Sequence, residues 1–370
     1  MKTKAAMLRQ PGADWEIAEL ELDEPKANEV LIRWVAAGLC HSDEHLRHGD
    51  IVPRFPIVGG HEGAGVIEKC GPGVSRVKEG DHVVTSFLPV CGHCRWCATG
   101  HSNICDYGAT ILDGCLPDGT FRFHDNGGDV GAMCMLGSFS QYSVISETSC
   151  VSVDKDLPLE TVVLVGCGVP TGWCSSVYAA DIVPGETVII YGIGGIGANA
   201  VQGASHAGAA NIIAVDPLAN KREAAEDLGA THSAASAEEA HELAQELTRG
   251  VGADKAIITV DIVNDEVVAN AVNAIRKGGT AVITGLADPN KVTVQLSGAV
   301  MTLYEKTVKG TLFGSGNPMH DIRNLIGLYQ AGKLKLDELI TNRYALEDIG
   351  QGFQDMLDGK NIRGVVIHDK

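Results

Sequence analysis

The sequence predicts an α/β protein with two domains, one mainly β and one built on a doubly wound parallel sheet. The chain has 370 residues, which exceeds the roughly 250 to 300 residues at which a single hydrophobic core stops growing. Its first 150 residues read as short strands between Gly and Pro turns, whereas strands and helices alternate from about residue 166. Such alternation is typical of a parallel sheet with helices on both faces.

Each predicted element rests on hydrophobic periodicity and on the residues that bound it. Stretches that alternate or run apolar between turn signals are predicted strands, and stretches with an apolar stripe at helical spacing are predicted helices. The stretch 186–217 combines a strand, a glycine turn, an Ala-rich helix and a second strand in one βαβ unit. The other predicted strands are 27–40, 64–71, 79–87, 254–262, 279–286 and 363–368, and the other predicted helices are 268–279, which ends at a Gly pair, 320–334 and 346–359. Periodicity leaves open to which domain the chain after about residue 310 belongs.

The composition indicates a folded protein that acts on a small molecule. Hydrophobic residues make up 45% and charged residues 21% of the chain, and the formal net charge is -18. Nucleic acids and anionic membranes attract clustered Lys and Arg, so this charge argues against both partners. The N-terminal stretch lacks the apolar core of a secretory signal, and no run approaches the roughly 20 apolar residues of a membrane span. A cytoplasmic location is therefore expected.

A glycine motif in the second half predicts a dinucleotide site. Gly192, Gly194 and Gly197 form G-x-G-x-x-G after an apolar strand and at the start of a helix, and Asp216 ends the next strand. In this arrangement the helix N-terminus receives a pyrophosphate, and the carboxylate binds the adenosine ribose hydroxyls. Because Asp216 would repel a 2′-phosphate, NAD is favoured over NADP, and Lys221 is placed to brace the same ribose. The alternative is a set of turn glycines and a solvated aspartate.

Four cysteines close together in the sequence predict a metal site, called here the four-cysteine cluster. Its members Cys91, Cys94, Cys97 and Cys105 have the spacing with which thiolates close a tetrahedral zinc site, which has no open position and stabilises a loop. An iron–sulfur cluster also takes four cysteines at short spacings and is the main rival. Chance clustering of structural thiols is the third alternative. Clustered cysteines of this kind are typical of a reducing compartment, where disulfides are rare.

A second set of residues, scattered along the chain, is suited to a catalytic metal and is called here the Cys40 cluster. Cys40, His61 and Cys167 are two thiols and an imidazole, the ligands of a zinc whose fourth position is left to water or substrate, and Glu62 adjoins the histidine. Taken singly, a cysteine is usually a small buried hydrophobe, and a histidine usually bonds a neighbour. Their spacing along the chain does not establish that they meet.

Together these residues resemble the zinc-dependent alcohol dehydrogenases of the medium-chain dehydrogenase/reductase family, over essentially the whole chain. The family's signature G-H-E-x-x-G-x-x-x-x-x-G-x-x-V is matched by Gly60, His61, Glu62, Gly65, Gly71 and Val74. The Cys40 segment, the four-cysteine cluster, Cys167 and the glycine turn follow in the family's order. The resemblance implies a GroES-like, mainly β catalytic domain at 1–168 and 312–370 and a Rossmann NAD-binding domain at 169–311.

The resemblance also implies roles for single residues of the metal sites. The Cys40 cluster would bind a catalytic zinc and the four-cysteine cluster a structural zinc, which makes two zinc ions per chain. Asp43 would orient the histidine ligand, and Glu62 would act as a transient ligand. Ser42 would take the alcohol proton and pass it through the nicotinamide ribose to a surface histidine, His45, because a hydroxyl both donates and accepts and an imidazole titrates near neutral pH.

The resemblance further implies contacts with cofactor and substrate. The residues that it assigns to the cofactor are His41, Thr171, Gly192, Gly194, Gly195, Gly197, Asp216, Lys221 and Arg363. His41 stands where many members have an arginine against the pyrophosphate. Phe87, Ile51 and Met135 align with an apolar substrate channel. The segment 105–142 is long, as in the liver-type dimeric members, so a homodimer is expected.

The implied function is the reversible oxidation of an alcohol to an aldehyde or ketone by hydride transfer to NAD. Two alternatives lie within the family: an enzyme that oxidises a thiol adduct of formaldehyde, and a nicotinoprotein that holds NAD permanently and passes electrons to another acceptor. A third hypothesis, from a different class, is a non-catalytic protein that binds zinc and a nucleotide. It is disfavoured because neither the zinc ligands nor the relay residues are missing from the sequence.

Overall fold

The computed structural model describes residues 1–51, 53–287 and 294–368. The chain divides into two compact units. The first joins Met1–Cys167 to Asn317–Lys370, and the second is Gly168–Gly316. The domain limits expected from the sequence fall after residues 168 and 311. The part of the chain after residue 316 therefore belongs to the first unit, an assignment that periodicity had left open.

The described residues form strands, α-helices and short helical turns. The strands are β1 (Lys2–Leu8), β2 (Glu16–Leu22), β3 (Glu29–Gly38), β4 (Ile57–Val58), β5 (Gly63–Cys70), β6 (His82–Thr85), β7 (Phe123–Asp125), β8 (Gly128–Ala132), β9 (Tyr142–Ser146), β10 (Cys150–Val153), β11 (Thr187–Tyr191), β12 (Asn211–Val215), β13 (His232–Ala234), β14 (Ala253–Ile258), β15 (Ile262–Val263), β16 (Ile275–Ile283), β17 (Leu286–Ala287), β18 (Thr307–Gly310), β19 (Ile340–Tyr344) and β20 (Arg363–Ile367). The α-helices are α1 (His41–His48), α2 (Arg95–Ala98), α3 (Leu159–Val162), α4 (Gly168–Cys174), α5 (Gly195–His206), α6 (Ala219–Asp227), α7 (Ala237–Leu247), α8 (Asp265–Ala274), α9 (Gly298–Leu303), α10 (Pro318–Gln330) and α11 (Ile349–Leu357). The 3₁₀ turns are Ser102–Ile104, Asp106–Thr110, Met133–Met135, Glu147–Ser149, Val163–Gly166, Phe313–Ser315, Asp337–Leu339 and Leu346–Asp348, and a π-helical turn covers Ser175–Ala179.

The first unit is built from a closed barrel and a larger sheet. The barrel has the strand order β1-β2-β7-β8-β4, and the sheet has the order β10-β6-β5-β3-β20-β19, with β9 also paired to β3. Alternate side chains of the barrel strands, such as Met7, Leu20 and Phe123, point into one apolar core, as the period of two of a half-buried strand requires. In the sheet, β20 pairs antiparallel with β3. A strand that follows the second unit in the chain is thus paired with a strand that precedes it.

The second unit contains a six-stranded sheet with the order β13-β12-β11-β14-β16-β18. All of its pairings are parallel. From β11 the chain moves outward to β13, then returns to the other side of β11 and moves outward to β18. This is the doubly wound order, with a reversal between β11 and β14 of the kind at which nucleotides bind in such sheets. The predicted fold class is confirmed.

One predicted helix has the wrong limits. The stretch 268–279 was expected to be helical up to its Gly pair, but α8 covers Asp265–Ala274 and the Gly pair lies inside β16. The helix starts early because the side chain of Asn264 accepts a hydrogen bond from the backbone N–H of Val267, which is a favourable N-cap. It ends early because Ile275 adopts an extended conformation and enters the parallel sheet beside β14.

Within the described parts of the chain, no single helix combines the length and the apolar composition of a membrane span. Among the described residues, one pair of helical segments interrupted at Cys167, Leu159–Gly166 and Gly168–Ala179, reaches that length and composition when the two are taken together.

Candidate functional site

The four-cysteine cluster lies in a loop of the first unit that contains α2 and the 3₁₀ turn Ser102–Ile104. The ligand atoms of its four cysteines all lie within 4.8 Å of one another. The sulfurs of Cys91 and Cys97 are 3.9 Å apart, as are those of Cys94 and Cys105. A tetrahedral zinc with Zn–S bonds of about 2.3 Å has sulfur–sulfur edges of about 3.8 Å. The geometry of the four thiols therefore fits a closed, four-sulfur zinc site.

Backbone N–H groups point at these sulfurs. The N–H groups of Cys91, Cys94 and Cys97 donate to the sulfurs of Cys105, Cys91 and Cys94 at 3.3, 3.3 and 3.5 Å respectively. Hydrogen bonds from the backbone of Asp106 and Cys97 lower the pKa of the Cys94 thiol to about 6. Such bonds stabilise thiolates, the form of cysteine that binds a metal.

The Cys40 cluster assembles at one end of the larger sheet. Cys40 lies two residues after β3, His61 and Glu62 directly precede β5, and Cys167 follows the 3₁₀ turn Val163–Gly166. Because Ala37 of β3 pairs with Gly63 of β5, the ends of these segments emerge side by side. The ligand atoms of the four residues lie within 4.8 Å of one another, and all four residues are buried. The structure thus brings together residues whose sequence spacing did not establish that they meet.

The histidine of this cluster has the surroundings of a metal ligand. Its Nδ1 lies 3.1 Å from Oδ2 of Asp43, whose other oxygen accepts a hydrogen bond from the Gly60 N–H at 2.8 Å. Its Nε2 is buried and has no hydrogen-bond partner among the described residues. Buried polar atoms are almost always satisfied, so an unpartnered imidazole nitrogen next to two thiols fits a bound metal, with Asp43 fixing the ring from behind.

The titratable groups of the Cys40 cluster shift one another's pKa values, because they lie close together. The hydrogen bond with Cys167 lowers the pKa of the Cys40 thiol well below its ordinary value, and the neighbouring His61 acts in the same direction. Burial alone would lower the pKa of His61, but the charges of Asp43 and Cys40 outweigh it and raise that pKa. The same hydrogen bond raises the pKa of the Cys167 thiol, so one thiolate, on Cys40, is favoured in this pocket. A bound zinc would in addition need the second thiol deprotonated and the imidazole neutral.

Glu62 and Arg363 form a buried ion pair beside the cluster. The Arg363 guanidinium donates to Oε2 of Glu62, and the two side chains are 4% and 0% exposed. A Cβ on Gly38 would lie 2.0 Å from that same oxygen, so only glycine at this position leaves room for the pair. The sequence did not single out Gly38, and it linked Arg363 to the cofactor, whereas the structure places its guanidinium on Glu62.

The two proposed relay residues lie on α1. The Ser42 hydroxyl is 3.7 Å from the Cys40 sulfur. His45 was expected at the surface, and this is wrong because only 7% of its side chain is exposed. The helix buries consecutive residues from Asp43 to Leu46, and Leu46 packs in an apolar cluster, which draws His45 inward with it. His41, the first residue of the same helix, is half-buried.

The residues that the resemblance aligned with a substrate channel lie in different parts of the first unit. The Phe87 ring meets the His61 ring edge to face, with centroids 5.7 Å apart, and so lies beside the Cys40 cluster. Met135 is instead 2% exposed and packs in the barrel core with Phe123. Phe87 therefore lies where a substrate at the Cys40 cluster could meet it, whereas Met135 lies in the barrel core; the channel itself stays a prediction.

In the second unit, the glycine turn has the expected conformation. Gly192, which follows β11, has φ of 89°, and a Cβ on Gly197 would lie 1.9 Å from the Gly192 carbonyl oxygen. Gly194 precedes α5, which begins at Gly195. The turn is thus tight enough to require glycine, and it leaves the first N–H groups of a twelve-residue helix available to an anion.

Asp216 follows β12 and holds the glycine turn in place. Its carboxylate accepts hydrogen bonds from the N–H groups of Ile193 and Leu218, both at 2.9 Å. Lys221 lies buried on α6, and burial lowers its pKa. Thr171 on α4 is buried, and its hydroxyl has no hydrogen-bond partner among the described residues. These polar groups are the ones that the resemblance assigned to the cofactor.

Comparisons with known proteins agree with this architecture. A family model described as "Alcohol dehydrogenase GroES-like domain" matches residues 26–155, and one described as "Zinc-binding dehydrogenase" matches residues 195–331. An NDMA-dependent alcohol dehydrogenase from Amycolatopsis methanolica is 67% identical over 368 residues, covering 100% of this chain and 99% of that protein. The chain belongs to the zinc-dependent alcohol dehydrogenases of the medium-chain dehydrogenase/reductase family.

Other alcohol dehydrogenases resemble the chain over its full length. The putative alcohol dehydrogenase D of Mycobacterium tuberculosis is 60% identical over 368 residues and covers 100% of both chains. The crystal structure of benzyl alcohol dehydrogenase from Acinetobacter calcoaceticus superposes with a TM-score of 0.92 at 31% identity, also over 100% of both chains. The chain is an oxidoreductase of this alcohol dehydrogenase family.

Proposed function

We propose that the protein oxidises an alcohol reversibly to an aldehyde or ketone, using zinc at the Cys40 cluster and NAD as the hydride acceptor. The observation that carries this proposal is the convergence of two thiols and an unpartnered imidazole nitrogen in one buried pocket. The same chain carries a glycine turn with an acidic residue at the end of the next strand. Both features belong to the family of which the chain is a member.

Cys40, His61 and Cys167 would hold the catalytic zinc. When bound there, zinc supplies Lewis acidity that lowers the pKa of an alcohol hydroxyl. Asp43 would orient the His61 ring through Nδ1 and raise its basicity as a ligand. Glu62 is tied to Arg363, so it can reach the metal only if that ion pair opens.

Ser42 and His45 would move the proton that the alcohol loses. Ser42 adjoins the metal pocket through its contact with Cys40, and its hydroxyl can accept a proton while giving up its own. His45 lies one helical turn further along α1 and takes the proton at its imidazole. Phe87 covers one side of the His61 ring and excludes water from it.

The second unit would bind NAD, which supplies the nicotinamide that accepts the hydride. The N-terminus of α5 receives the pyrophosphate, because its unpaired N–H groups and its dipole favour an anion. Asp216 would bind the adenosine ribose and disfavour a 2′-phosphate, with Lys221 beside it. The unpartnered hydroxyl of Thr171 and the half-buried ring of His41 are further candidate cofactor contacts.

The four-cysteine cluster would bind a second zinc with a structural role. All four ligands come from the protein, so this site has no position for a substrate. Its thiols also favour a cytoplasmic location, because they need a reducing compartment. A homodimer is proposed from the long segment 105–142, which the liver-type dimeric enzymes share.

A second candidate function is a nicotinoprotein alcohol dehydrogenase, in which NAD stays bound and electrons pass to another acceptor. It is favoured by the 67% identity to a protein named NDMA-dependent alcohol dehydrogenase. The two candidates share the metal site and the glycine turn. They differ in whether the nucleotide exchanges with solution.

A substrate panel run with different acceptors tests both candidates. Aliphatic and aromatic alcohols would be offered with added NAD, with NADP and with NDMA, and the nucleotide released on denaturation would be measured. Turnover that depends on added NAD, with little on NADP, supports the first candidate. Turnover with NDMA alone, together with about one NAD released per chain, supports the second. Absence of alcohol oxidation in every arm would overturn both.

The Asp43→Asn variant is expected to weaken zinc binding at the Cys40 cluster by about 10- to 100-fold. An amide keeps the shape of the side chain but removes the charge that faces Nδ1 of His61. The measurement is zinc retained against a chelator of known affinity. Asp321→Asn serves as the control, since Asp321 is also a buried aspartate of the first unit but accepts a backbone N–H at Asn317. Equal zinc retention in both variants would contradict the orienting role.

A further inference from the structure

The proposed proton acceptor His45 is poorly placed to release its proton. Only 7% of its side chain is exposed, so solvent has little access to the ring. The relay implied by the resemblance ends at a surface histidine, and in this structure that end is buried. A proton that reaches His45 therefore needs a further group to carry it to solvent.

The end of α1 brings such a group to the histidine. Gly49 has φ of 97° and caps the helix in the left-handed conformation, which favours glycine. The N–H groups of Gly49, Asp50 and Ile51 all donate to the His45 carbonyl oxygen, at 3.0, 2.9 and 3.2 Å. The chain is thereby folded back over the last helical turn, and the Asp50 side chain lies against the histidines of that turn.

The Asp50 carboxylate lies between two histidines. Its Oδ2 is 2.9 Å from Nδ1 of His45, and its Oδ1 is 3.5 Å from Nδ1 of His48. His45 and His48 are three residues apart on one helix and so share a face. Side-chain exposure rises along this series, from 7% at His45 to 29% at Asp50 and 73% at His48. The three groups form a graded path from the interior to solvent.

We propose that Asp50 and His48 form the outer end of the proton relay and carry the proton from buried His45 to solvent. The inference rests on the proposed function, in which His45 receives the alcohol proton. His45 takes that proton at one ring nitrogen and gives the proton on Nδ1 to Oδ2 of Asp50. The carboxyl passes it to Nδ1 of His48, whose exposed ring releases it. One proton enters and one leaves, and no electrons are exchanged. His45 is left with its proton on the other ring nitrogen and regains its starting tautomer when the ring turns over before the next cycle.

The charges around this path suit a carboxylate that is protonated only in passing. The hydrogen bond with His45, and to a smaller extent that with His48, lowers the pKa of Asp50. The other charged groups at this end of α1 pair with one another: Arg47 binds Glu44 through Nε at 2.9 Å and lies 4.0 Å from Asp14. Asp50 therefore rests as a carboxylate that attracts the His45 proton and hands it on to a neighbour.

The test compares four variants of the full-length enzyme. Asp50→Asn and His48→Gln interrupt the path. Asp129→Asn and His320→Gln are controls away from α1, because Asp129 lies 3.3 Å from Nδ1 of His124 and the exposed His320 lies 3.9 Å from the buried Asp321. For each variant, kcat/KM for alcohol oxidation is measured from pH 6 to 9 in dilute buffer and again with added imidazole. A low-field proton NMR signal reports the Nδ1–H of His45 independently of turnover.

We expect Asp50→Asn to lower kcat/KM in dilute buffer by about tenfold, a part of the 10²- to 10⁴-fold that general acid–base groups contribute. His48→Gln should lower it by about threefold, because Asp50 is itself partly exposed. Added imidazole should restore most of either loss, since a small buffer can replace a missing carrier. The low-field signal should vanish in Asp50→Asn and persist in His48→Gln.

Three results would overturn the inference. The first is wild-type rates in both path variants. The second is a loss that imidazole does not restore, because this indicates a structural role of Asp50 at the helix end. The third is equal losses in the control variants. If the wild-type protein oxidises no alcohol with any acceptor, the proposed function fails and the relay fails with it. A loss of kcat/KM that is confined to Asp50→Asn and His48→Gln concerns the relay alone.

Discussion

Replacing Cys40 with alanine is expected to lower alcohol turnover by at least about 10³-fold, because Lewis-acid stabilisation by zinc is worth several kcal/mol. Alanine removes one of the two thiols of the Cys40 cluster and leaves the second unit untouched. NAD binding should therefore persist. The measurements are steady-state turnover, zinc per chain by atomic emission and NAD affinity by fluorescence titration. Zinc should fall from two ions per chain to one.

The matched control for this variant is Cys150→Ala. Cys150 is also buried, but it packs among apolar side chains of the larger sheet and belongs to neither metal cluster. Its variant should keep two zinc ions and nearly full turnover. Retained turnover in Cys40→Ala, or equal losses in the two variants, would contradict the assignment of the catalytic metal to this cluster.

Replacing Cys105 with serine is expected to lower the melting temperature of the protein by about 10 °C while much of the turnover at low temperature remains. A structural metal contributes its binding free energy to folding, and about 1 kcal/mol corresponds to a few degrees for a chain of this size. Cys105 supplies one of the four sulfurs and accepts the N–H of Cys91. Differential scanning calorimetry measures the shift, and zinc per chain should again fall from two to one.

Limited proteolysis locates the effect of the Cys105 variant. Cleavage should appear within the loop that follows β6 and contains α2, because the thiols hold this loop together. Cys70→Ser is the control, since Cys70 is a half-buried cysteine outside both clusters. If Cys105→Ser lost turnover in proportion to zinc at every temperature, the four-cysteine cluster would have a catalytic part, contrary to the proposal.

The features that could be predicted from the sequence are those encoded by neighbouring residues. Cys91, Cys94 and Cys97 lie in one loop, and the motif glycines lie in one turn. The spacing of these residues along the sequence therefore largely determines how they are arranged in space. The strands around them could also be predicted from neighbouring residues, since an alternating or apolar run indicates which side chains of a strand are buried. The Cys40 cluster is different, because its members are brought together by the pairing of β3 with β5, and only the family resemblance joined them.

The features that were missed depend on packing between distant segments. His45 was expected at the surface, but the packing of Leu46 against the barrel side of the first unit buries it. The ion pair of Glu62 and Arg363 joins residues 301 positions apart, which no local pattern reports. The position of Asp50 depends on a single left-handed glycine, and the sequence carried a signal for it in the motif His-x-x-His-Gly-Asp that was not recognised.

The pairing of β20 with β3 has a consequence for how the protein is made. On the ribosome, domains generally fold as units while the chain emerges, and here the second unit is continuous in sequence whereas the first is completed only by the last strand. Arg363, the partner of Glu62 beside the Cys40 cluster, is synthesised 301 residues after Glu62. The second unit can therefore fold before the first is completed, so a metal at the Cys40 cluster would gain its full surroundings only after the second unit has been made.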